Sequence, residues 1–176
     1  MTFDANAIEV VEASVSERGL IEGLLQFYVY DFSEMEPADS VEFEVEADGR
    51  FTCSALLEGY WREASHTALI IRRGGRPAGF ALLNATSHSG WEVDHNMAEF
   101  FVMRKHRRGG AGRAAVREIL GRYPGRWEVA VAQRNTVARA FWPAAVAATP
   151  GVRDLIAHQG DGVSWTGPLL NFTVEH

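Results

Sequence analysis

The stretch MAEFFVMRKHRRGGAGRAA, residues 97–115, limits the fold more than any other part of the chain. Its apolar and aromatic start predicts a buried strand over Met97–Met103. Five largely basic residues follow, and Gly109, Gly110 and Gly112 open a predicted helix over Gly110–Arg122. Trp127–Ala132, built on Val-Ala-Val, reads as the next strand. Strand, helix and strand in that order make a crossover, which calls for a parallel pair and an α/β fold. Upstream, Ala68–Ile71 and Gly79–Leu83 flank Arg73-Gly74-Gly75-Arg76 and predict a hairpin. Ile8–Ala13 is a short strand, and Ser16 is positioned to cap a helix ending near Tyr28. Asp31–Asp48 is acidic and irregular, and Phe51–Trp61 is expected to form a second helix. Asn135–Ala147 is a helix that Pro143 should kink or shorten, and Val152–His158 with Leu169–Val174 close the chain as strands.

The 176 residues suit one α/β domain spanning 1–176, with 47% hydrophobic and 23% charged residues. No apolar run reaches the ~18 residues of a membrane span, and MTFDANAIEV carries Asp4 and Glu9 with no base, unlike a secretion signal. Cys53 stands alone, which fits a reducing compartment; the expected location is cytoplasmic. A pI of 5.5 and a net charge of −6 argue against wrapping nucleic acid. That charge is unevenly spread. Residues 1–63 carry 15 acids and 3 bases, whereas residues 104–139 carry 10 bases and 2 acids, Glu118 and Glu128. Two readings stand: a polyanionic ligand near the basic stretch, or acidic and basic faces that attract each other.

Glycines that open a helix let backbone N–H groups turn toward an anion, and Arg107, Arg108 and Arg113 flank them. The same glycines also suit a plain tight turn. Gly110-Ala-Gly112-Arg-Ala-Ala115 satisfies the dinucleotide pattern formally, which keeps an NAD- or FAD-dependent oxidoreductase as an alternative. Its context is poor. A basic run separates it from the strand, and Glu128 lies at the start of the next strand, where the ribose partner belongs at the end. The Gly-Lys-Ser/Thr of a kinase-type phosphate loop is absent.

Arg107-Arg108-Gly109-Gly110-Ala111-Gly112 resembles the R/Q-x-x-G-x-G/A signature of the GNAT superfamily of N-acetyltransferases, and Asn135-x-x-Ala138 with Phe141-Trp142 resembles its second cofactor motif. Tyr28-x-Tyr30-Asp31-Phe32-Ser33-Glu34 looks like an uncharacterised bacterial branch of predicted acetyltransferases. The resemblance implies a mixed twisted sheet whose central parallel strands, 97–103 and 127–132, splay to admit acetyl-CoA. It implies that the turn holds the pyrophosphate, and that Phe101, Val102 and Met103 bond the pantetheine arm through their backbone. The implied activity is direct transfer of an acetyl group to a primary amine, on a small molecule, peptide or protein, with homodimers common in the family. Trp142 stands where many members place a tyrosine that protonates the leaving thiolate; an indole N–H cannot do this, so the tyrosine's role does not carry over. A non-catalytic acyl-CoA sensor with the same fold is therefore a further alternative.

N-acetylation needs a base, and alternation along the strand puts Met97, Glu99, Phe101 and Met103 on one face. Glu99 among apolar neighbours should have a raised pKa and is the candidate base; pairing with an arginine of the basic run is its other reading. Asp94 and His95 are second-rank bases, and Asn135 is equally a helix cap. Tyr28, Tyr30, Asp31 and Tyr60 are the candidate acceptor-pocket residues, and no metal site is indicated. The acidic half favours a cationic acceptor.

Overall fold

The computed structural model describes residues 6–176. Seven strands form one mixed sheet: β1 (Ile8–Glu12), β2 (Thr67–Arg73), β3 (Arg76–Asn84), β4 (His95–Val102), β5 (Gly125–Ala130), β6 (Val152–Gln159) and β7 (Pro168–Val174). Their order is β1-β2-β3-β4-β5-β7-β6, and only β4 and β5 run parallel. The helices are α1 (Arg18–Ser33), α2 (Ala111–Arg122) and α3 (Thr136–Ala147).

The β2–β3 hairpin forms because Gly74 and Gly75 take φ of 54° and 71°, the doubly left-handed turn that matches strand twist. On one face of the sheet α1 buries Ile21, Leu24, Leu25 and Val29 against Ile70, Phe80, Leu82 and Phe101. On the other, Val116, Ile119 and Leu120 of α2 and Trp142 and Val146 of α3 pack on Leu69, Leu83, Trp127 and Phe172. Each large side chain so buried contributes about 1.5–3 kcal/mol.

Several sequence expectations are corrected. Ser14 rather than Ser16 forms the capping box, with Glu17 reaching back to the Ser14 N–H across a single 3-10 turn. Helix α1 then continues past Tyr28 to Ser33, so Asp31 is helical. Over 51–61 only Ser54–Leu57 makes a 3-10 turn, because Gly59 and Trp61 adopt φ of 86° and 66°, which no right-handed helix accommodates. Pro143 does not shorten α3, which runs to Ala147; Pro143 and Arg139, whose carbonyl loses its partner, are both on the solvent side.

Candidate functional site

Strands β4 and β5 pair only at His95–Trp127 and Asn96–Glu128. Beyond Asn96 they part, and the β4 edge toward β5 has no strand partner. A bulge accounts for the departure: Leu82 faces Glu99 and Leu83 faces Met97, so Ala98 is an extra residue that bends β4. The gap is a cleft of about 70 Å³, lined by Tyr28 and Phe32 of α1, Ala98 and Phe100 of β4, Ala130 of β5, and Asn135, Ala138 and Trp142 at α3.

The bulge also corrects the predicted alternation. Met97 joins the α2–α3 side of the sheet, while Phe101 and Met103 face α1. Glu99 is on the α1 side too, where its carboxylate accepts a hydrogen bond from the Tyr28 hydroxyl. No arginine reaches it among the described residues, so the ion-pair reading of Glu99 falls away. Burial pushes its pKa up to about 7, against the lowering effect of the Tyr28 bond. Burial and the Glu99 charge together push Tyr28 well above the usual phenol value, and they act on Tyr60 in the same direction. The Tyr28 ring is fixed by Phe32, Phe80 and Phe101, at centroid distances of 4.7, 5.7 and 5.9 Å.

At the end of β4 the chain makes one 3-10 turn over Arg104–His106 and enters α2. Gly110, at φ of 79°, is the N-cap, and no side chain caps the helix. The first helical bond runs from the Ala114 N–H to the Gly110 carbonyl, so the amides of 111–113 precede the ladder and are available to an anion. Gly112 allows α2 to approach Phe141 of α3, since a Cβ there would be 3.3 Å from that ring. Lys105, Arg108 and Arg113 surround the turn without an ion pair among the described residues. Arg107 is used otherwise: its Nε donates to the Val102 carbonyl at 2.6 Å, its guanidinium pairs with Asp31, and it lies over Phe101. It braces the turn, with Asp31 as its anionic partner.

One cation was missed in sequence. Arg73, at the tip of the β2–β3 hairpin, has its guanidinium 3.3 Å from where a Gly109 Cβ would stand. His106 is lowered by burial and then by Arg73 and Lys105, which places both of those cations beside one turn. The hairpin was legible; that its tip adjoins the glycine turn follows only from the β3–β4 pairing, with Gly79 opposite Val102. Together the open strand edge, the uncapped helix start and these cations fit an extended ligand that carries amides and phosphates.

The remaining candidates separate. Asn135 caps α3, its Oδ1 accepting from the Ala138 N–H at 2.9 Å, and it also borders the cleft. Trp142 is buried at the cleft wall, edge-on to Phe100 with ring centroids 5.1 Å apart. Tyr30 is 62% exposed on the outer side of α1 and Asp31 is bound to Arg104 and Arg107, so neither reaches the cleft. Tyr60 is buried on the Glu99 side. Asp94 pairs with Arg126 at 2.8 Å, whose hydrogen bonds hold the carboxyl well below the usual range, and His95 packs on Trp127. Neither is a base at the cleft. Burial raises Glu128, but bonds from Ser89, His88 and Asn171 outweigh it and keep it ionised; it anchors the 87–89 loop and offers nothing to a ribose.

The acetyltransferase (GNAT) family model matches residues 28–145. No curated protein matches the chain. Among solved structures, an acetyltransferase from Thermus thermophilus is similar at TM-score 0.60 and 16% identity, over 98% of each chain. The PaiA N-acetyltransferase of Thermoplasma acidophilum, in complex with coenzyme A, is similar at TM-score 0.57 and 12% identity, over 96% of this chain and 99% of its own. The spermidine N-acetyltransferase of Vibrio cholerae, in complex with CoA and spermine, is similar at TM-score 0.55 and 11% identity, over 95% and 94%. The family match includes the crossover, the glycine turn and the cleft walls from Tyr28 to Trp142, and on that ground the chain belongs to the acetyltransferase (GNAT) family of acyltransferases, which draw on acetyl-CoA.

Proposed function

We propose that the chain moves the acetyl group of acetyl-CoA to a primary amine by direct transfer, with Glu99 as the base. Bound acetyl-CoA supplies an acetyl group activated as a thioester. The amides of 111–113 with Arg108, Arg113, Lys105 and Arg73 hold its phosphates, and the open β4 edge at Phe101, Val102 and Met103 holds the arm. Gly109, Gly110, Ala111 and Gly112 shape that turn, and Asn135, Ala138, Phe141 and Trp142 form the wall behind it. The backbone donor near Val102 stabilises charge on the carbonyl oxygen, since the Met103 N–H is already given to the Ala78 carbonyl. Glu99 takes the proton of the attacking nitrogen; a carboxyl with pKa about 7 is ionised at mildly alkaline pH yet basic enough to accept it.

The observation that carries this reading is Glu99: a carboxylate on the strand that borders the cleft, desolvated and bonded to Tyr28, with no cation paired to it among the described residues. Tyr28 and Tyr60 shape the acceptor side. The acceptor is cationic, because Asp39, Glu42, Glu44, Glu46 and Asp48 lie in the segment beyond Phe32, a wall of the cleft, and Phe43 of that segment packs on the Phe32 ring at 6.2 Å.

The test incubates the protein and acetyl-CoA with spermidine, Nα-acetyl-lysine, a lysine-containing peptide and glutamate, reading thiol release and acetylated product by mass. Transfer to the cationic amines, reduced ~100-fold or more in Glu99→Gln with donor affinity kept, is the expected result. Trp142 at the usual tyrosine position favours a second reading, a donor-binding module without transfer. Tight acetyl-CoA binding with no acetylated amine would establish that reading and overturn the first.

A further inference from the structure

The cleft wall contains Tyr28 but not Glu99. The carboxylate is on the α1 side of β4, and the Tyr28 hydroxyl is its hydrogen-bond partner. Tyr28 therefore touches both the candidate base and the space where the thioester must lie. The cleft is also bordered by Trp142, whose indole N–H cannot give up a proton near neutral pH. Among the described residues that line the cleft, Tyr28 carries the one ionisable side chain.

We propose that the Tyr28 hydroxyl delivers the proton that the departing coenzyme A sulfur needs, and is itself reprotonated by Glu99. This deepens the acetyltransferase reading and rests on it. Tyr28 engages Oε2 of Glu99, which leaves Oε1 for the amine. As the C–N bond forms, Glu99 takes one proton from the neutral amine. As the C–S bond breaks, Tyr28 gives its proton to the sulfur, and the Glu99 carboxyl, turning its newly protonated oxygen to Tyr28, returns one to the Tyr28 oxygen. The amine has lost one proton, the sulfur has gained one, and both side chains return to their starting states.

The direction of transfer is favourable. Tyr28 by itself, raised well above the phenol value, is too weak an acid for a thiolate whose own pKa is about 8.5. A Glu99 carboxyl with pKa about 7 is a strong enough one, and Tyr28 is the conduit between them. Of the groups facing Glu99, Tyr28 comes from α1 and Tyr60 from the segment before β2; both are neutral phenols, so no cation opposes the carboxyl's protonation. The ring contacts with Phe32, Phe80 and Phe101 keep the hydroxyl in place, and they survive in Tyr28→Phe.

The test uses the full chain, wild type and Tyr28→Phe, with the four amines named above and two donors: acetyl-CoA and its selenium analogue, whose selenolate leaves without a proton. Expected is a ~100-fold loss of kcat with acetyl-CoA, an unchanged KM for it, and little loss with the selenoester. A second readout needs no turnover: the ionisation of the thiol of bound coenzyme A, followed at the thiolate absorption band, should shift to higher pH in Tyr28→Phe. Equal losses with both donors, full rate with both, or an unshifted bound thiol would overturn the relay while leaving the acetyltransferase reading in place. A wild-type chain that transferred from neither donor would remove that reading and the relay with it.

Discussion

Glu99 keeps its proton in the folded chain up to about pH 7, whereas an ordinary glutamate in an unfolded chain loses it near 4.5. Between those values the folded state holds one proton more, so stability falls as pH rises from about 4.5 to about 7 and then levels off. The interval of roughly 2.5 pH units corresponds to about 3 kcal/mol. Glu99→Gln accepts the same Tyr28 hydrogen bond without ionising. Relative to wild type, urea denaturation should show it gaining up to about 3 kcal/mol at pH 8 compared with pH 4.5; a pH-independent difference would contradict the assignment. Activity moves in the opposite sense, rising with pH through about 7 as the carboxylate forms, and a rate flat from pH 5.5 to 8.5 would argue against Glu99 as base. The proposed base is thus a carboxylate whose ionisation the fold opposes. That much was legible in sequence, because Glu99 is a lone acid in an apolar strand. Its partner was not, since Tyr28 is 71 positions away and only the packing of α1 on the sheet brings the two together.

At the scale of elements, the crossover and the glycine hairpin were readable because each is defined by local chemistry: a period, a turn and a cap. Two misreadings have one cause, tertiary geometry that no short window contains. The bulge at Ala98 reverses the side on which Met97 sits, and the left-handed residues Gly59 and Trp61 end what looked like a helix over 51–61. Asn135 and Pro143 show that one element can hold both kinds of outcome, the cap as expected and the break absent. The N-terminus of α2 carries its own prediction. Gly110 at φ of 79° is in a region that costs a residue with a Cβ about 1–2 kcal/mol. Gly110→Ala should lose about that much stability and weaken acetyl-CoA binding together, measured by denaturation and calorimetry. Loss of stability with unaltered affinity would separate the turn from the ligand.

Across the whole molecule, the uneven charge serves two ends that the sequence alone left open. Asp31, Glu34 and Glu36 pair with Arg104, Arg107 and Arg134, so part of the acidic half does neutralise part of the basic half. Lys105, Arg108 and Arg113 are left around the glycine turn, and Arg73 joins them from the hairpin. Because these cations are exposed, donor binding should weaken several-fold between 50 and 500 mM salt, as screening shortens to about 4 Å; an affinity indifferent to salt would deny them a part. The individual ion pairs could not be foreseen, since each acidic partner lies in a segment with many acids and each arginine is 70 or more positions away. No helix among the described residues is long and apolar enough to cross a membrane.

On the proposed reading, the parted β4–β5 edge and the start of α2 together hold acetyl-CoA. Backbone amide exchange, recorded with and without coenzyme A, reads those amides directly. New protection is expected at Val102 and at Ala111–Arg113, with the rest of the sheet little altered. Protection confined to other segments, or none at either place under saturating coenzyme A, would contradict it.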